Sequence, residues 1–178
     1  MRITPFILVV LINFCGMASY TRAEETRIPV ATGAALVLPV PDKWRTTRRP
    51  GPVPTVSITP ASGGDSFQVL VSPLVAPDGS VAPASLESLR RLVGSAATRA
   101  KSQSVEESLP IQNFGSGDVQ GYYFSATDRA PKPGEFKFMT QGAMSVSGLP
   151  VSFTILSNGN AQQAVEPALH MLLAARKE

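Results

Sequence analysis

The sequence is poor in the residues that carry most enzymatic and metal chemistry. Its 178 residues include one cysteine, one histidine and one tryptophan. One histidine and one thiol exclude the usual structural zinc sites, which take four Cys and His ligands. A lone cysteine also excludes an intrachain disulfide. No G-x-S-x-G nucleophile elbow is present. The phrase Gly115-Ser116-Gly117 lacks the further glycine, the lysine and the following helix of a phosphate-binding loop, so nucleotide binding is not expected. Long apolar runs are missing too. The longest, Phe6 to Phe14, is broken by Asn13 and is about half of the roughly 20 residues a membrane-spanning helix requires.

The N-terminus holds the most specific pattern. Arg2 is followed by the apolar run, then by small residues with Thr21 and Ala23 at positions −3 and −1 of a T-x-A cleavage site. This is the tripartite arrangement of a secretory signal peptide. Residues 1–23 are expected to be removed, with Ala18 a second cleavage point, and residues 24–178 to form a single domain that is periplasmic or secreted. A lipid-modified cysteine would need a small residue before Cys15, where the bulky Phe14 stands. Cleavage would remove Cys15, leaving the mature chain free of thiol. It would also remove Arg2 and Arg22, two of the 16 basic residues, so 14 would face 13 acidic ones. The pI near 9.3 therefore describes the precursor. A nearly neutral surface gives no argument for nucleic-acid binding. A hydrophobic fraction of 43% with 16% charged residues is that of a folded globular domain.

Apolar spacing along the mature chain predicts α+β structure. Ala34–Leu38 reads as a buried strand stopped by Pro39 and Pro41, and the proline-rich basic stretch 45–54 reads as a loop. Thr55–Thr59 and Ser66–Ser72 alternate and are joined by the turn Ala61–Asp65, which predicts a β-hairpin. Leu86, Leu89, Leu92, Val93, Ala96, Ala97 and Ala100 recur at helical spacing, with Ser85 placed to cap, so a helix is expected over 86–102. Residues 110–114, 119–127, 135–147 and 151–155 read as strands, the last three forming a meander over the turns 128–134 and 148–150. A final helix carries Val165, Ala168, Leu169 and Leu172, with Pro167 expected to kink it or to mark its first turn.

This order (strand, the P-x-x-W phrase Pro41 to Trp44, hairpin, helix, meander, helix) resembles that of the PsbP-like and DcrB-like family, on its bacterial envelope branch. The residues carrying the likeness are Pro41 to Trp44, Thr55 to Ser72, the helix beginning at Leu86, and the hairpin Glu135 to Ser157 before the last helix. The resemblance implies a central antiparallel sheet of about six strands flanked by two main helices, an α/β/α sandwich. It implies no catalytic residue and no cofactor, since members of the family mostly act by binding.

The candidate recognition residues are Lys43, Trp44, Arg45, Arg48 and Arg49, four cations beside the tryptophan, which suit an anionic partner such as an envelope protein or an anionic membrane surface. The bland alternative buries Trp44 under a sheet edge and solvates the arginines. His170 with Glu166 one turn earlier reads as an exposed helix pair rather than a general base, because no nucleophile motif accompanies it. Asp118 and Asp128 flank one strand roughly 30 Å apart at about 3.3 Å per residue, so they read as turn residues. Glu106 and Glu107 read as a solvated loop. The expected function is that of an exported, non-enzymatic envelope protein that binds a partner or assists assembly. The alternatives are a hydrolase built on an unrecognised carboxylate site, or an immunity-type inhibitor of a secreted toxin.

Overall fold

Two sheets, not one, organise the chain. The computed structural model describes residues 24–30, 33–62, 66–76, 80–159 and 161–178. The expected leader and the turn residues Gly63–Asp65 lie outside the described residues. Strands β1 (Glu24–Pro29), β2 (Ala35–Val40) and the two-residue β10 (Arg176–Lys177) form a small sheet in the order β1-β2-β10. The large sheet has seven strands in the order β3-β4-β5-β9-β8-β7-β6. These are β3 (Trp44–Arg49), β4 (Thr55–Pro60), β5 (Phe67–Pro73), β6 (Gln112–Ser116), β7 (Val119–Thr127), β8 (Phe138–Val146) and β9 (Leu149–Ser157). All paired strands run antiparallel. The helices are α1 (Leu86–Ala100), extended by a 3₁₀ turn over Lys101–Gln103, and α2 (Ala161–Leu173).

The large sheet has two unlike faces, set by the period-2 alternation of its strands. One face presents Val56, Ile58, Val69, Val71, Val151, Phe153 and Ile155, and packs against Ile28, Leu36 and Leu38 of the small sheet and Ala168, Met171 and Leu172 of α2. The other face has its apolar core at the β7–β8 end, and elsewhere Leu70 and Leu156, both half-buried, stand among polar side chains. At the β7–β8 end Phe124, Ala126 and Ala143 meet Leu89, Val93 and Ala97 of α1. Ser85 caps α1, its hydroxyl accepting from the Ser88 N–H at 3.1 Å. Because α1 rests mainly on β7 and β8, its buried stripe is narrow, and Leu86 and Leu92 stay exposed.

The expected sandwich of about six strands between two helices is therefore wrong. The chain is mostly β, with seven strands in one sheet and three in another, and one layer over the main sheet is itself a sheet beside α2. Three strands escaped the reading for definite reasons. β3 was expected to be a loop, but it is an edge strand with Arg45 to Arg49 exposed, so burial imposes no apolar alternation on it. β1 turns only Thr26 and Ile28 inward beside Leu38 and Leu36. β10 has two residues, too few for a pattern. Likewise β2 does not stop before Pro39: that residue pairs with Glu25, at a point beyond the reach of β10, which meets only Val37 and Leu36. The turn into β9 is Ser147-Gly148, with Leu149 and Pro150 already in the strand. Both turn residues have positive φ, 47° and 83°, as a two-residue type I′ hairpin demands. Pro167 stands inside α2 rather than in its first turn, and its missing N–H leaves the Gln163 carbonyl without an intrahelical donor.

Four charges tie the ends of the described chain together. Glu25 and Arg27 on β1 and Arg176 on β10 flank β2, with Arg27, Val37 and Arg176 in one row across the sheet. Arg176 pairs with Glu25 at 2.8 Å and with Glu178 at 2.7 Å, and Arg27 pairs with Glu178. Val37 is fully buried, in line with the arginine stems lying over it. Hydrogen bonds from Arg176, then from Arg27, hold the Glu178 carboxyl below the usual carboxylate range. A lowered folded-state pKa means stability that is present above the unfolded value and lost as pH falls through the folded one. The C-terminal strand is thus expected to loosen at acid pH ahead of the main sheet. Amide exchange of Lys177 and Glu178 checks this: it should rise on acidification relative to that of β8, after correction for intrinsic rates.

Candidate functional site

The five residues singled out in the sequence do not form one cluster. They occupy an edge strand, and alternation sends them to opposite faces of the large sheet. Trp44 pairs with Pro60, Thr46 with Ile58 and Arg48 with Val56, so these three share the face of the main core. Trp44 is half-buried, its ring centroid 4.8 Å from that of Phe67. The Arg48 guanidinium donates to the Arg27 carbonyl at 3.3 Å. Arg45 and Arg49, opposite Thr59 and Thr55, point to the other face. Lys43 lies in the turn before the strand, and its carbonyl accepts the Ala61 N–H at 2.8 Å. The structure brings Arg45 and Arg49 together on one surface and separates them from Trp44 and Arg48.

The surface they enter is the half of the large sheet that α1 leaves uncovered. Following the register inward from Arg49, Thr47 and Arg45 gives the rows Thr55-Ser72-Ser152, Ser57-Leu70-Thr154 and Thr59-Gln68-Leu156. Gln141 extends the middle row on β8. Apart from Leu70 and Leu156 these are hydroxyl or amide side chains, and no carboxylate stands among them. Neighbours hold one another in place: Thr55 and Ser72 hydroxyls lie 2.7 Å apart, Gln68 Nε2 donates to Ser57 Oγ at 2.9 Å, and Arg45 Nε donates to Thr59 Oγ1 at 3.2 Å. Arg49 has no hydrogen-bond or ion-pair partner among the described residues. Such a face is largely polar and is positively charged at one edge. It offers hydroxyl lone pairs and guanidinium forks, and it contains no nucleophile–base pair.

A second site, which the sequence reading missed, lies between α2 and the far end of β7 and β8. It is an open groove of about 460 Å³ lined by Glu106, Ser125, Thr127, Phe138, Thr140, Val165, Glu166 and Leu169 among others. Glu106 was expected to sit in a solvated loop. Instead it is half-buried, and its carboxylate accepts the Thr127 N–H at 2.9 Å. Burial acts most strongly on that carboxyl and raises its pKa, but hydrogen bonds from the Thr127 hydroxyl and N–H and from its own backbone N–H together outweigh it, and the net shift is downward. Glu106 is held as a carboxylate. No local signal marks it, because its partner is 21 residues away on another element. Glu166 reaches the same groove from α2, with a side chain 81% exposed and 3.9 Å from His170 Nε2. His170 is 75% exposed, the surface helix pair the sequence suggested.

The remaining candidates are structural. Asp118 lies in the β6–β7 turn, where its carbonyl accepts the Ser147 N–H at 2.7 Å. Asp128 Oδ1 accepts the Ala130 N–H at 2.9 Å and shapes the turn after β7. Among the described residues no group of three or more His, Cys, Asp or Glu is placed to hold a metal ion, and no helix is long and apolar enough to cross a membrane. No protein-family model matches the chain, and no curated protein matches it either.

Proposed function

We propose that the chain is exported, loses its N-terminal leader and works as a non-enzymatic binding protein of the cell envelope, with the Arg45/Arg49 face as its contact surface and an acidic protein as its partner. The observation that carries the reading is the uncovered, hydroxyl-rich half of the large sheet, bordered by two arginines and, among the described residues, without a carboxylate in its rows. Magnitudes favour a protein over a membrane surface. A basic residue near an anionic bilayer contributes about 1 kcal/mol, so two arginines give about 2 kcal/mol, too little for stable attachment. The large apolar side chains in its rows, Leu70 and Leu156, are half-buried and poorly placed to insert. Directional hydroxyl and amide groups suit a protein surface, where arginine forks pair bidentately with carboxylates. Four strands about 4.8 Å apart and about six residues long give an area of roughly 15 by 20 Å. That is small for a permanent interface and in keeping with a transient one.

The hydrolase reading draws on Glu106 and Glu166 in the groove. Glycoside hydrolysis needs one carboxyl held protonated as the acid, and the hydrogen bonds to Glu106 push the opposite way.

The test is in two parts. The mass and N-terminal sequence of the protein recovered from the envelope of a producing cell should begin near Glu24. Cross-linking in that compartment should join the protein to an acidic partner, and the Arg45→Ala/Arg49→Ala variant should lose that product while keeping the wild-type Tm. A retained N-terminus refutes the export step, and equal cross-linking by the variant refutes the surface.

A further inference from the structure

We propose that the groove between α2 and the β7–β8 end is a separate binding site for a small organic cation, an ammonium or guanidinium carried on an apolar stem. A volume of about 460 Å³ is that of ordinary small-ligand pockets. Its walls are Phe138 from β8 and Val165 and Leu169 from α2, an apolar slot for a stem. Its floor is a hydroxyl pair, Ser125 Oγ and Thr140 Oγ1, 2.8 Å apart. Two carboxylates, Glu106 and Glu166, are the charged side chains in its lining, and no lysine or arginine lines it.

The neighbouring cations are each engaged, Lys137 and His170 by residues of the groove itself. Lys137 Nζ rests 5.6 Å from the centroid of the Phe138 ring, Arg129 Nη2 donates to the Ser104 carbonyl at 2.8 Å, and His170 faces Glu166. Glu106 is the fixed element. Thr127 orients it from the end of β7, so the anion is in place before a ligand arrives. Glu166, on the exposed side of α2, closes the other rim. Acidic rims, a hydroxyl floor and apolar walls complement a cation on a hydrocarbon stem. They reject the matching anion, whose charge would meet two carboxylates with no basic side chain in the lining.

The experiment is an NMR titration of the purified protein, as the cell processes it, with three probes sharing one stem: hexylammonium, hexanoate and 1-hexanol. Hexylammonium should give saturable shifts at Thr127, Thr140 and Leu169, and hexanoate none. Hexanol should bind more weakly than hexylammonium by about four- to 25-fold, the combined worth of two exposed charge pairs. Glu106→Gln keeps an oxygen for the Thr127 N–H while removing the charge, and Glu166→Gln does the same at the outer rim. Each should weaken hexylammonium about two- to fivefold. Glu107→Gln, exposed and outside the groove, should change nothing. Hexanoate binding as tightly as hexylammonium, saturation by hexanol alone, no saturable shift with hexylammonium, or indifference to both groove substitutions would each overturn the proposal.

Discussion

Replacing Phe124 by Ala is expected to cost about 3–5 kcal/mol and to lower Tm by roughly 6–20 °C for a chain of this size. Phe124 is fully buried and is the largest of the buried side chains between α1 and the large sheet. The other buried members of that core are small, Leu89, Val93 and Ala97 from the helix and Ala126 and Ala143 from the strands, while Tyr122, Met139, Leu109 and Ile111 pack half-buried at its margin. Small neighbours cannot collapse into the space a phenyl ring leaves, so the cavity term should stay near its full value. The loss should also be local. The core on the opposite face, built on the small sheet and α2, shares none of these buried residues. Thermal denaturation gives the total. Amide exchange should show α1 losing protection before β5 and β9. An equal loss of protection on both faces would show that the two cores unfold as one.

Gly142→Ala is expected to be comparably severe, by overpacking rather than by cavity. A Cβ on Gly142 would lie 2.4 Å from Phe153 Cζ and 2.5 Å from the Tyr122 carbonyl oxygen. Phe153 is fully buried beneath it, and the carbonyl belongs to the paired strand β7, so neither can yield without moving the sheet. Overpacking of this kind costs about 1–3 kcal/mol or more. Gly94 provides the contrast. A Cβ there meets nothing within 4 Å, and the residue lies inside α1, where alanine is favoured over glycine by roughly 0.5–1 kcal/mol. Gly94→Ala should therefore raise Tm while Gly142→Ala lowers it. Denaturant midpoints of the two variants settle the signs.

Where one face of an element is buried, the sequence showed it. Val56 and Ile58, then Val69 and Val71, alternate because they meet across the hairpin in the core. β7 and α1 were read nearly to their ends for the same reason. The alternation Val151-Ser152-Phe153-Thr154-Ile155 even records that β9 has one apolar and one polar face, and so that no helix need cover the second. What stayed hidden was edge and assembly. A strand exposed on both faces, such as β3, carries no burial pattern. Its run of cations reads as one charged patch until pairing with β4 sends neighbouring arginines to opposite sides. The groove was invisible because Glu106, Thr140 and Glu166 come from three elements that only the tertiary fold brings together.

The separation of Arg45 and Arg49 from Arg48 by the pleat of β3 is the feature on which the functional account rests, and charge reversal on each side tests it. Arg45→Glu/Arg49→Glu and Arg48→Glu are compared with wild type for partner capture by the purified protein at low and at physiological salt. The account expects the double reversal to abolish capture and Arg48→Glu to leave it within about twofold, with wild-type capture weakening as salt rises. Loss of capture on reversing Arg48 alone, with the double reversal still binding, would contradict it.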